Sequence, residues 1–371
     1  MNIAVITFSD MNTNYGSILQ AYSMKIQLNK MGHEVVFIRY REFIHFPKET
    51  IKQELRKKLL ALYKKLHTKN ATLKKYNFDD FISHNLCHTP LFTSCEEIIE
   101  KLPEFHAYIC GSDQIWNVPS LRGIRSPYFL AFVPTNKLKA AYAPSIGGYK
   151  IDDENREEFS KLLNHLDYIS CREKCSIELL KALTNKPIIH VVDPVLLSSV
   201  EEWQNFAKNE VAPQNAYGVC YFVQRSSFAR KLTRTLKKLY KFPIYNLSDV
   251  LIHVTGTSRK YISCGPRKFV KMIANAQFCI GTSFHLTVFS IIFNRPFLIA
   301  GTNHNKDRVG DILKAAGYED RLVYQNENWK IKLKQIHKTI VQMDDLNKLN
   351  NLINESKKYL ETIVSAAAQN E

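Results

Sequence analysis

Two doubly wound α/β domains are what this sequence predicts, and three observations carry the prediction. Short apolar runs alternate with amphipathic stretches of helical period along most of the chain, the pattern of parallel strands covered on both faces by helices. That rhythm breaks once, around residues 198–216, where a polar stretch through "APQNA" separates two series. The length of 371 residues is long for one domain and enough for two cores.

The first series opens with the strand "IAVITF", the polar loop "SDMNTNYGS", a helix "ILQAYSMKIQLNKM" ended by Gly32, and the strand "EVVFIRY". That is a βαβ unit with a right-handed crossover. Strands follow at "AYIC" and "AAYAPS", then an acidic-capped helix from Glu154 to His165, strand "YISC", helix "EKCSIELLKAL" and strand "IIHVVD". The second series is strand "YGVCYFV", a basic helix, "PIYNL", helix "PRKFVKMIANA", strand "QFCIGT", helix "SFHLTVFSIIF" and strand "PFLIAG". The expected domains are residues 1–198, with a basic helical insertion near 51–75, and residues 199–343. Residues 344–371 add a helix from Asp344 to Ala367 that packs back across both. There is no internal repeat, and the first loop carries only Gly16, so neither a dinucleotide fingerprint nor a P-loop is present.

Composition is that of an ordinary globular chain, with 45% hydrophobic and 23% charged residues. The eight cysteines are scattered without CxxC pairs or zinc spacing and read as reduced, mostly buried thiols. "MNIAVITFSD" has no basic start or cleavage site, and Asn294-Arg295-Pro296 interrupts the longest apolar run. A cytoplasmic location is expected. The net charge of +16 points to an anionic partner: nucleic acid, membrane or an acidic small molecule. Half of the excess sits within Ile51 to Lys75, where nine Lys/Arg face one acid, Glu54. The apolar residues Ile51, Leu55, Leu59, Leu62, Tyr63 and Leu66 in that segment share one helical face. Such a helix either lies on an anionic membrane surface or packs its stripe on its own domain.

In open parallel sheets ligands bind beyond the carboxyl ends of the strands. His285 stands there: Ser283 is the natural N-cap after "QFCIGT", and His285 falls in the first helical turn, where free N–H groups favour an anion. The plain alternative is a packed histidine bonded to a carbonyl. Arg172 and Glu173 follow "YISC" at another carboxyl edge, either as a phosphate or carboxylate clamp or as a structural pair. "CGSDQIWN" gathers Ser112, Asp113, Gln114 and Trp116, a sugar-like site or an Asp-anchored turn with a core tryptophan. "NTNYGS" crowds Asn14, Tyr15 and Ser17 at a helix start, where ordinary capping is the alternative. "NHNKDRVGDIL" offers His304, Lys306 and Arg308 to an anion or to solvent. "VDPVLL", with Asp193 before Pro194, reads as a structural turn without chemistry.

Taken together, "NYGSILQAY", "GSDQIWN", "YAPSIGG", "SCREKCSIELL", "VVDPVLLSSVEEW", "GPRKFVKMIANAQFCIGTSFHLTVFSIIFNRPF" and "NHNKDRVGDIL" resemble the polysaccharide pyruvyl transferase family, in order from about Asn14 to about Arg321. The resemblance implies a GT-B-like architecture, two Rossmann-like domains facing a cleft. It also implies transfer of a pyruvyl group from phosphoenolpyruvate to a sugar as a cyclic ketal, on a free or lipid-linked glycan precursor. By resemblance His285 matches the catalytic histidine and Arg172 an arginine near the donor. The chain departs from the family at Leu286, usually glycine, and at Thr282, usually Asp or Asn; the larger Leu286 is expected to narrow the cleft.

The residues suit that chemistry. Arg172, the helix start at Ser283, Lys306 and Arg308 are expected to hold the phosphate and carboxylate of the donor. An imidazole can protonate the enol carbon or deprotonate a hydroxyl. Asn14, Tyr15, Ser17, Asp113, Gln114 and Trp116 form the expected acceptor set. No cofactor or metal is required, and no metal-ligand cluster is visible. A lipid-linked acceptor would give the basic helix a role at the inner face of the membrane. A nucleotide-sugar glycosyltransferase would share this fold, but its acidic ribose partner and glycine-rich loop are not found. A nucleic-acid binder would interleave its basic residues with exposed aromatics, and these cluster on one helix instead.

Overall fold

The computed structural model describes residues 1–10, 13–42, 68–224, 226–249, 254, 256–258, 260–303, 305–334 and 343–369. Positions 51–67 of the basic segment and His304 lie outside the described residues.

The N-terminal sheet is built from β1 (Asn2–Ile6), β2 (Glu34–Tyr40), β3 (His88–Phe92), β4 (Ala107–Cys110) and β5 (Leu138–Ala141). Its order is β3-β2-β1-β4-β5, and every pair is parallel. β6 (Ile169–Cys171) and β7 (Ile188–His190) form a parallel pair that joins β5 through a bridge between Ala140 and Tyr168. The second sheet, also parallel, comprises β8 (Gly218–Tyr221), β9 (Ile244–Asn246), β10 (Phe278–Gly281), β11 (Phe297–Ala300) and β12 (Leu322–Val323) in the order β12-β11-β10-β8-β9. In each sheet the direction of winding reverses once, between β1 and β4 and between β8 and β10, which opens a ligand crevice at their carboxyl ends.

The helices of the first half are α1 (Tyr15–Lys30), α2 (Thr68–Asn85), α3 (Cys95–Lys101), α4 (Val118–Leu121), α5 (Asp153–His165) and α6 (Lys174–Lys181). Those of the second half are α7 (Val200–Phe206), α8 (Ser227–Leu239), α9 (Pro266–Ala274), α10 (Phe284–Ile292), α11 (Lys306–Ala315), α12 (Trp329–Lys334) and α13 (Met343–Gln369). Local chemistry fixes several starts. The Asn14 side chain accepts from the Gly16 and Ser17 N–H groups at α1, and Ser199 with Glu202 forms a reciprocal capping box at α7.

Alternation along the strands divides the packing. Val219 and Tyr221 of β8 face a core shared with α9, α10 and, from the first half, α1, while Cys220 and Phe222 face α8 and α12 on the opposite side. One continuous apolar cluster therefore runs from Ile3, Val5 and Ile18 through Phe269 and Phe289. α13 binds both halves: it touches β5, β7 and α11, its Ser356 hydroxyl accepts from the Val192 N–H at 2.9 Å, and its Tyr359 hydroxyl donates to the Ala141 carbonyl at 3.1 Å. Among the described residues no helix is long and apolar enough to cross a membrane.

β3 and β12 are strands that the sequence pattern does not announce. β3 contains Pro90, which breaks the usual signature, and it is tolerated because β3 is an edge strand with one side unpaired. In the described end of the basic segment, Lys69 and Lys75 are exposed, but Lys74 is buried, with its ammonium 4.6 Å from the centre of the Tyr15 ring. Lys74 therefore packs inside the protein and contributes nothing to a charged outer face. Leu360 of α13 is fully buried in the shared cluster. Leu360→Ala is expected to destabilise the fold by about 2–5 kcal/mol, read as a lower urea midpoint; an unchanged midpoint would mean that α13 is not part of the cooperative core.

Candidate active site

Asp193, just past β7, is the centre of the cleft. Its Oδ1 accepts from the Val195 N–H at 3.0 Å and so caps the short 3-10 turn Pro194–Leu197. The turn expected from sequence is real, but Oδ2 has a separate task. It accepts from Arg172 Nη1 at 2.6 Å and from the Ser112 hydroxyl at 3.0 Å, and lies 3.6 Å from His285 Nε2. The last distance is beyond hydrogen-bond reach, and Nε2 has no hydrogen-bond partner of its own. Arg172 and Asp193 come from the first half and His285 from the second, so this carboxylate ties the halves together electrostatically. Burial pushes the Asp193 carboxyl up, but His285 and Arg172 outweigh it and hold it well below the usual carboxylate range.

Arg172 follows β6 directly. Its Nε donates to Glu173 Oε1 at 3.1 Å, and the face of Phe284 lies 4.4 Å beneath its guanidinium. Burial opposes its charge, yet Glu173, Asp193 and Asp113 raise its pKa above the ordinary guanidinium value. Nη2 is buried without a partner. Arg308 in the first turn of α11 is half-buried, and its Nε is likewise buried and unpartnered. Burial and then the positive charge of Arg172 lower its pKa. Two repelling guanidiniums, each with an unused N–H, make a cradle for an anion.

His285 sits where strand β10 hands over to α10. Ser283 caps that helix, its hydroxyl accepting from the Leu286 N–H at 3.4 Å. The imidazole lies against the start of α1, so close that a Cβ on Gly16 would clash with the ring at Nδ1 and Cε1. Gly16 is needed for this approach. Asp113 adopts a positive φ of 82°; its Oδ2 accepts from the Ser17 hydroxyl at 2.7 Å and its Oδ1 from the Gln114 N–H at 2.8 Å. Backbone strain of this kind collects at functional sites.

The remaining expected residues are spread out. Tyr15 is fully buried, stacks on Phe269 at 4.1 Å and donates to the Cys264 carbonyl at 2.7 Å. Trp116 is buried too, stacked on Phe129 with its Nε1 donating to the Tyr128 carbonyl at 3.0 Å. Both belong to the core rather than to an acceptor surface, because each ring is covered and each polar atom is already bonded. Asn14 is the exposed cap of α1, Gln114 is half-buried and accepts from Asn117 Nδ2 at 2.7 Å, and Lys306 is exposed at the start of α11. Leu286 does not narrow the cleft: it is fully buried behind the site, packed on Gly281 in the shared core. Thr282 is buried as well, its hydroxyl accepting from the Val223 N–H at 3.2 Å. All eight cysteines are free, Cys87 and Cys175 exposed and five others buried.

The sequence profile of the polysaccharide pyruvyl transferases matches residues 14–304. The chain belongs to that family. The match includes Gly16, Asp113, Arg172, Asp193 and His285, the residues that meet in the cleft. No curated protein matches the chain. Among solved structures it is similar to the UDP-N-acetylglucosamine 2-epimerase of Rickettsia bellii, at 13% identity and a TM-score of 0.52 over 100% of this chain and 97% of that one. The UDP-GlcNAc 2-epimerase of Methanocaldococcus jannaschii is comparable, at 11% identity and TM-score 0.51 over 99% and 100%. The wall teichoic acid polymerase TagF follows, at 10% identity and TM-score 0.50 over 99% and 89%. At these identities the likeness is one of fold, and this pyruvyl transferase family member has the GT-B-like architecture.

Two outcomes follow from the geometry. Gly16→Ala is expected to push the imidazole off the start of α1, read as a lower thermal midpoint and a displaced His285 ring signal in ¹⁵N NMR; a variant matching wild type in both would show that the ring is not seated there. Asp193 has a folded pKa below its unfolded value of about 3.9, so its contribution is fully present above that value and is lost as pH falls through the folded pKa. Asp193→Asn leaves the buried Arg172 charge with Glu173 as its one bonded carboxylate and is expected to cost roughly 3–5 kcal/mol at neutral pH. The loss should shrink in acid, measured as urea stability against pH, and an equal loss at all pH values would contradict it.

Proposed function

We propose that this family member transfers the pyruvyl group of phosphoenolpyruvate onto two hydroxyls of a sugar in a cell-surface polysaccharide precursor, forming a cyclic ketal. The observation that carries the reading is the pair of repelling guanidiniums, Arg172 and Arg308, each with a buried N–H that has no partner. Beside them lies His285, held by Asp193 and Gly16. A small trianion with phosphate and carboxylate groups matches such a cradle, and the α10 N-terminus adds further N–H donors.

The enol carbon of the donor takes a proton, which leaves a cationic centre at C2. A sugar hydroxyl attacks that centre and loses its proton, the C2–O bond to phosphate breaks, and the second hydroxyl closes the ring with loss of its own proton. Of the two protons released, one replaces that taken by the enol carbon and the other leaves on phosphate. His285 is the acid/base for the enol carbon and the attacking hydroxyl. Arg172 and Arg308 hold the donor and stabilise the departing phosphate. Asp113, whose oxygens already accept from Ser17 and Gln114 N–H, has lone pairs left for an acceptor hydroxyl. The protons of the reaction come from these groups and from the substrates.

The reading is tested by thermal denaturation with phosphoenolpyruvate beside UDP, CDP and GDP. Phosphoenolpyruvate is expected to raise the melting temperature of wild type with concentration and to do so less in Arg308→Gln. Stabilisation by a nucleotide alone would instead mean a glycosyltransferase. His285→Ala should keep donor binding while turnover falls roughly 10²–10⁴-fold; wild-type turnover would remove His285 from the chemistry.

A further inference from the structure

A large part of the basic charge lies away from the cleft. α8 carries Arg230, Lys231, Arg234, Lys237 and Lys238 with no carboxylate, and all five are exposed. Its apolar side, Phe228, Leu232 and Leu236, is buried on the outer face of the second sheet, so the charged side is what solvent meets. α12 lies beside it: Phe228 packs edge-on to Trp329 with ring centroids 5.7 Å apart, and Lys231 sits 5.5 Å over the Trp329 ring. α12 adds Lys330, Lys332 and Lys334, again without a carboxylate on the helix, and Lys332 lies 3.6 Å from Glu327 just before it.

Two features separate this surface from a merely solvated helix. Ser227, Arg230, Lys231, Arg234, Thr235 and Lys238 line one shallow concavity of about 560 Å³, so the cations share a single face. Apolar side chains also stand exposed along the same two helices, Leu239 at 42% and Ile331 at 56%. A polybasic face with exposed apolar points fits the headgroup layer of an anionic bilayer, where cations gain from the surface potential and apolar tips reach below it. Nucleic acid would be matched better by exposed aromatics among the cations, and here Trp329 is buried.

We propose that the outer face of the second domain, formed by α8 and α12, docks the protein on an anionic lipid bilayer. The surface is built from α8 and α12, and its role does not rest on pyruvyl transfer: donor stabilisation can fail while docking holds, or the reverse.

The test is co-sedimentation of the full chain with vesicles of phosphatidylcholine containing phosphatidylglycerol, against phosphatidylcholine alone. The variants are Arg230→Gln/Lys231→Gln/Arg234→Gln/Lys238→Gln and, as a matched control, Lys57→Gln/Lys58→Gln/Lys64→Gln/Lys65→Gln. Wild type should bind only the anionic vesicles and release as salt rises. The α8 variant should bind at least about 30-fold more weakly, with an unchanged melting temperature, while the control keeps most of its binding. Equal binding by wild type and the α8 variant would overturn the proposal, as would loss of binding in the control alone. Tighter binding of wild type to a DNA duplex than to the anionic vesicles at the same ionic strength would replace the bilayer with nucleic acid.

Discussion

The cleft depends on one buried carboxylate. Asp193 spends one oxygen on its own turn and turns the other toward Arg172 and His285, which come from opposite halves of the protein. A carboxylate removed from water is costly unless cations and N–H groups surround it, and here both catalytic candidates serve as its partners. Their positions are thereby coupled: the arginine cannot leave without depriving the carboxylate of its shortest hydrogen bond, and the histidine lies between that carboxylate and the backbone at Gly16. The halves meet through the same contact, with Phe284 beneath Arg172 and a shared apolar cluster behind.

The same arrangement leaves several polar atoms of the site under-satisfied. Arg172 Nη2, Arg308 Nε and His285 Nε2 are all buried without hydrogen-bond partners. Buried polar atoms without a partner are few in native proteins, and each calls for an explanation such as a ligand or ion that completes the network. The lowered pKa of Arg308 beside Arg172 expresses the same imbalance as charge. An anion entering the cleft would relieve both.

Much of this was legible in the sequence because it is local. The alternation of strands and helices, the Ser283 cap and the position of His285 and Arg172 just beyond strands follow from neighbouring residues. What escaped was tertiary. Asp193 reads as a turn because one of its oxygens truly makes the turn, and nothing nearby in sequence announces the partners of the other. Tyr15 and Trp116 stand among polar residues along the chain yet face the core. Leu286 follows the histidine, but a helix rotates about 100° per residue, so the side chain enters the core instead of the cleft. β3 was hidden by Pro90, which only an edge position allows.

The most direct measurement is a crystal structure of the protein with phosphoenolpyruvate. Donor phosphate or carboxylate oxygens should lie within hydrogen-bond distance of Arg172 Nη2 and Arg308 Nε, with the methylene carbon turned to His285. Donor density elsewhere on the surface, with both guanidiniums still unpartnered, would contradict a donor site in the cleft.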